Sequence, residues 1–301
     1  MRKATALILI LPLFGTAKEP AWFNTSMNNR DITFSPSDDV MLTTIMAPKN
    51  LHSLIAMSVK TNGDWSPLEV VPFSGQYPDI EPAFSPDGSY LYFASKRPVP
   101  DDEKASWDIW RVSYEQENNS FGEPENLGAP VNSSGNEFYP SLTRDGVLYF
   151  TATQEGGLGK EDLYRATPND TGHFSSVENV GAPVNSEAYE FNAFIDPDEN
   201  YLIFGSQGRA SDIGGGDLYI SFNSNGEFQA PVLLPAPINT PKLDYRPTVY
   251  DGRFYFTSEQ PGTNLPKSMT SMSDWYTSPG NGLGDIYSVH LDQLLKQLSA
   301  L

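Results

Sequence analysis

The chain has 301 residues, a net charge of −19, no cysteine and three histidines. Such an acidic chain is repelled by nucleic acid and by anionic membrane surfaces, and it has neither disulfides nor thiol chemistry. Aromatics make up 12% of it, with 24 Gly and 25 Pro against only 19% charged residues. That balance favours short strands and many turns over helices.

Arg2 and Lys3 precede an apolar run from Ala4 to Phe14, and Gly15, Thr16 and Ala17 then supply small residues. This is the pattern of a secretory signal peptide over residues 1–17, too short for a stable membrane span. Without cysteine it has no lipid-anchor site. The expected mature protein begins near Lys18, has no membrane span, and is periplasmic or secreted in a bacterium. Residues 18–301 are expected to form one domain.

From residue 21 onward the chain repeats. Ala-Pro-Val-Asn-Ser stands at Ala129–Ser133 and again at Ala182–Ser186, with Ala-Pro-Ile-Asn-Thr at Ala236–Thr240. Looser copies start at Val71 and Ala21. Eight residues after each start comes an anchor: Asn29, Asp79, Glu137, Glu190 and Asp244. Each anchor opens the same unit. In the second copy it reads Pro82-Ala-Phe-Ser-Pro-Asp-Gly88, then Tyr90–Ser95, a loop, and Asp108–Val112; Asp145-Gly146 and Asp251-Gly252 mark the same turn in later copies. Asp-Gly between aromatic, β-branched runs signals a hairpin. Four short antiparallel strands recurring at this period describe the blades of a propeller.

This unit, Pro-x-Phe-Ser-Pro-Asp-Gly-x-x-Leu-Tyr-Phe-x-Ser followed by Asp-[Ile/Leu]-[Tyr/Trp], resembles the WD40-like repeat of TolB-type β-propellers over about residues 21–290. The resemblance implies an exported binding scaffold. The fold expected is all-β, a propeller of about five four-stranded antiparallel blades, with six as the alternative count. The fifth copy ends after its third strand, so residues 18–24 are expected to supply the fourth. Residues 291–301 are expected to form a short amphipathic helix.

A feature present in every blade serves every blade. The anchors Asp79, Glu137, Glu190 and Asp244 are therefore assigned to turn and backbone hydrogen bonding, as are Asp108, Asp162, Asp217 and Asp285 at later strand starts. Function is sought where the repeats differ. In a four-stranded meander, the loop entering the first strand and the loop joining the second to the third open on one face. Two residues past each anchor, on that face beside the channel, stand Asp31, Glu81, Tyr139, Asn192 and Arg246. The second-to-third loops add Lys96, Arg97, Trp107, Lys160, Glu161 and Arg209 as candidate binding residues. Residues 259–284 form the longest departure from the repeat, a loop expected to lack structure of its own. It carries Met269, Met272, Trp275 and Tyr276, and its two aromatic side chains suit a sugar or a peptide.

No HExxH, Gly-x-Ser-x-Gly or phosphate-loop pattern occurs, so no metal site and no cofactor is expected. The function expected is binding of a protein or peptide partner of the cell envelope on the channel face. One alternative is a glycoside hydrolase using Asp31 and Glu81, whose positions are not acidic in other blades. Another is a glycan or small-molecule module using Tyr139, Arg246 and Trp275. Asp31→Asn with Glu81→Gln is expected to leave folding intact.

Overall fold

The computed structural model describes residues 18–99 and 106–298, so residues 1–17, where a signal peptide is expected, lie outside the described residues. The chain folds as an all-β propeller of five blades. Blade 1 is built from Asn28–Phe34, Val40–Met46 and Ser53–Thr61, and blade 2 from Asp79–Phe84, Tyr90–Ser95 and Asp108–Glu115. In both, two short segments together supply the outer edge. Blade 3 comprises Glu137–Leu142, Leu148–Ala152, Asp162–Pro168 and Phe174–Asn179. Blade 4 follows with Tyr189–Ile195, Tyr201–Gln207 and Asp217–Ser224, again with short outer pieces. Blade 5 takes Asp244–Tyr250, Arg253–Ser258 and Asp285–His290 from the C-terminal part of the chain and Glu19–Pro20 from its beginning.

Closure of the ring therefore uses both ends of the sequence, as its truncated last repeat implies. Glu19 pairs with Ser288 and Pro20 with Tyr287. The first strand of each blade packs against the first strands of both neighbours, from blade 5 back to blade 1, so these strands surround the axis. A ring leaves only short, protected sheet edges. The six-blade alternative is set aside.

Each blade buries one face against the next, and each of the five interfaces has its own apolar cluster. Leu91, Phe93 and Trp110 of blade 2 meet Val40, Leu42 and Ile55 of blade 1 in this way. The C-terminal helix forms as expected, over Leu291–Leu298, and seats Leu294 and Leu298 on the blade 4–5 cluster. No helix among the described residues is long and apolar enough to cross a membrane.

The Ala-Pro-Val-Asn motif is a clasp between successive blades. Its Asn side chain bonds both backbone groups of a residue on the previous blade's third strand: Asn132 with Ile109, Asn185 with Leu163, Asn239 with Leu218. Asn24, from the loosest copy, does the same to Ile286 and so clasps blade 1 to blade 5. The next motif residue reaches forward: the hydroxyls of Ser133, Ser186 and Thr240 donate to the anchors Glu137, Glu190 and Asp244.

Candidate functional site

All five residues two past the anchors lie at a break in register on the first strand of their blade. All five have positive φ: Asp31 57°, Glu81 65°, Tyr139 50°, Asn192 54° and Arg246 59°. An inserted residue in the left-handed region bends the strand and re-aims its side chain. No β-branched residue occupies these positions, where one would be the most strained.

Four of the five meet at the centre of the ring, joined by Arg30. Arg246 Nε lies 3.0 Å from Asp31 Oδ1, a charge contact without hydrogen-bond alignment, and Arg246 Nη1 contacts Glu81 Oε1. Arg30 Nη2 donates to Glu81 Oε1 at 3.1 Å, and Arg30 Nε lies 3.4 Å from Asp31 Oδ2. The Glu81 amide donates to Asp31 Oδ2 (3.1 Å) and the Tyr139 amide to Glu81 Oε2 (2.5 Å). The Tyr139 hydroxyl donates to the Pro247 carbonyl, and the Arg246 guanidinium lies 5.1 Å from the Tyr139 ring centre. All four carboxylate oxygens thus have a partner within the protein. The fifth residue, Asn192, is buried beside them, its backbone N–H donating to Thr151 Oγ1.

Burial, reinforced by the neighbouring Asp31, pushes Glu81 up to about 8. Burial likewise raises Asp31, against the pull of Arg30. The two arginines stand opposite the two acids in a strut across the channel, and a cavity opens on each side of it. The top cavity, on the face where the first strands begin, has a volume of about 460 Å³ and is walled by Phe138, Tyr189, Phe191 and Tyr245 over Arg30 and Arg246. The bottom cavity, about 260 Å³, runs between Phe34, Phe194 and Tyr250 with prolines 82, 140 and 197. At the top rim, Lys160 Nζ sits 4.9 Å from the Tyr189 ring centre and Lys96 Nζ 5.2 Å from that of Trp107. Glu161 also lines the top cavity, and burial raises its carboxyl.

Arg97 and Arg209 do not project freely from their loops. Arg97 Nη2 pairs with anchor Asp79 at 2.8 Å and donates to the Phe73 carbonyl, while its Nε donates to Ser95. Arg209 pairs with anchor Glu190 at 2.8 Å and donates to the Val184 carbonyl and to Ser206. Each guanidinium lies near two rings, Phe93 and Trp110 for Arg97, Phe204 and Tyr219 for Arg209.

Residues 259–284 hold a helix, α1 (Met269–Tyr276), where a structureless loop was expected. Ser268 caps it, accepting from the Ser271 amide, in a capping box completed by the Ser271 hydroxyl. Met269, Met272 and Tyr276 are exposed on it. Trp275 is half-buried, with its indole N–H enclosed and without a partner.

Sequence reasoning passed over Arg30 and Lys18. Arg30 follows an anchor directly, where the other blades carry Ile80, Phe138, Phe191 and Tyr245. The rule that function lies where repeats differ would have found it. Among the described residues, no group of three or more acids and histidines is arranged to hold a metal ion.

No known protein family and no curated protein matches the sequence. Solved structures do match. The GH43 β-xylosidase/α-arabinofuranosidase CoXyl43 from a compost microbial metagenome is 11% identical, with 91% of this chain and 95% of that chain covered and a TM-score of 0.52. The catalytic domain of a GH62 α-L-arabinofuranosidase from Coprinopsis cinerea is 12% identical, with 92% and 98% covered and a TM-score of 0.52. TolB from Acinetobacter baumannii is 12% identical over 87% of this chain, with a TM-score of 0.47, and the match spans about half (55%) of that chain. At such identities the two glycoside hydrolases show a shared fold and nothing finer.

Proposed function

We propose that this is an exported propeller scaffold that binds a protein or peptide partner at the top mouth of its channel. The observation that carries this reading is the contrast within the channel. The acids that could do chemistry are engaged oxygen by oxygen, whereas the cavity above them is open and aromatic-walled. A general base needs an oxygen free to reach a substrate proton. Aromatic walls with a few polar groups suit side chains of a peptide. The exposed Met269, Met272 and Tyr276 on α1 add an adaptable apolar surface.

The test is selection of a random-peptide library on the purified protein and on a Phe191→Ala/Tyr245→Ala variant. A consensus enriched on the wild type and weakened at least tenfold on the variant supports the reading. Equal enrichment on both overturns the cavity as the site. A second reading, glycoside hydrolysis by Asp31 and Glu81, draws on the glycosidase-like fold and on the raised Glu81. Reducing-end release from an oligosaccharide panel, lost in Glu81→Gln protein that still melts cooperatively, would install it in place of the first.

A further inference from the structure

Three blades share a device. An anchor acid, a serine at the end of the second strand and two rings surround one cation. In blade 2 these are Asp79, Ser95, Phe93 and Trp110 around Arg97; in blade 4, Glu190, Ser206, Phe204 and Tyr219 around Arg209. In blade 5 the second-to-third loop offers no such arginine. There the cation comes from the other end of the chain. Lys18 Nζ lies 4.2 Å from the Tyr287 ring centre and 5.8 Å from that of Phe256, and donates to Ser258 at 3.3 Å. Burial lowers the pKa of the Lys18 ammonium, and Asp244 and Asp285 are the charges that oppose this. The slot therefore accepts a cation delivered by a segment from outside its own blade.

Blade 3 has the acid and the rings. Phe150 and Tyr164 stand 6.0 Å apart at 31°, against 6.1 Å and 23° for Phe204 and Tyr219, and 6.1 Å and 32° for Phe256 and Tyr287. Glu137 is fully buried and its Oε2 has no hydrogen-bond partner. Among the described residues no cationic side chain pairs with it. Gln154, half-buried, follows Ala152 by two residues as Arg97 follows Ser95. Val131 holds the motif position whose carbonyl, in Phe73 and Val184, accepts from the arginine. Blade 1, with neutral Asn29 as its anchor, has no charge to balance.

We infer that the blade 3 slot, formed by Glu137, Phe150 and Tyr164, receives an arginine side chain of the partner. This names the partner chemistry of the proposed function and rests on that reading. It is an arginine-bearing peptide docked on the same top face, where the anchors and the second-to-third loops lie. The guanidinium would sit over two rings against one carboxylate, as Arg209 does in the next blade. A strongly acidic chain favours such a partner at long range.

The experiment compares a short acetylated, amidated peptide containing one arginine with its citrulline counterpart, by calorimetric titration of the full-length purified protein. Citrulline keeps the shape and removes the charge. The arginine peptide is expected to bind at least tenfold more tightly, and Glu137→Gln to erase the difference. Gln154→Arg, which supplies blade 3 with the cation that blade 2 already has, is expected to raise Tm and abolish the arginine preference. Equal binding of the two peptides overturns the inference, as does an arginine preference untouched in Gln154→Arg. The library selection separates this failure from that of the parent reading. A cavity-dependent consensus without arginine sinks only the blade 3 slot, whereas no cavity-dependent consensus sinks the parent reading.

Discussion

Asp31 and Glu81 show how position can be legible while environment is not. Their difference from other blades is visible in the repeat alignment, but Arg246 comes from blade 5, more than two hundred residues from Asp31, and only closure of the ring brings them together. Both carboxylates are buried under two guanidiniums. Neutralising them would leave Arg30 and Arg246 without counter-charges in a site with little access to water. Breaking a buried pair from one side costs about 3–5 kcal/mol. Asp31→Asn with Glu81→Gln is therefore expected to lower unfolding free energy by about that amount in urea denaturation, contrary to the sequence-based expectation that folding stays intact. Arg30→Met added to this double variant is expected to recover part of the loss, because it removes one of the stranded charges. A double variant as stable as the wild type would show that the strut contributes nothing to the fold.

At the scale of the element, the recurring cation slot ties Arg97 and Arg209 to the anchor acids of their own blades. They stand eighteen and nineteen residues after their anchor acids, a recurrence of the same kind that assigned the acids to structure. Lys18 was beyond such reasoning, because it fills its slot from a segment outside the repeat. Helix α1 was missed for another reason: Met269–Tyr276 has no apolar stripe facing a core, and its start is marked only by serines. Lys18→Met is expected to destabilise the protein by about 1–2 kcal/mol, the range of a partly desolvated cation over aromatic rings, measured as a fall in Tm. Lys18→Arg is expected to stay close to wild type, since blades 2 and 4 already hold arginine in this geometry. Equal losses in both variants would mean that the slot does not read charge.

For the whole molecule, the blade count and the two-ended closure were legible because they follow from counting strands per repeat. The balance of buried charge was not, because it depends on which acids receive a cation once the ring is shut. Burial raises Glu137 to about 7, and Asp244 and Asp285 to about 6 each. A carboxyl whose pKa is higher in the folded than in the unfolded state binds its proton more tightly when folded. Its contribution is greatest below the unfolded pKa and is lost as pH rises through the folded one. These three groups act in the same direction. Stability is therefore expected to be highest near pH 5 and to fall steadily toward pH 8, read as Tm across a buffer series at constant ionic strength. Glu137→Gln, which cannot ionise, should flatten the portion between about pH 5 and pH 7 and make the variant more stable than the wild type at pH 8. A wild-type profile that rises over the same interval would show that these carboxyls are ionised in the folded ring at pH 5, and that cations reach them after all.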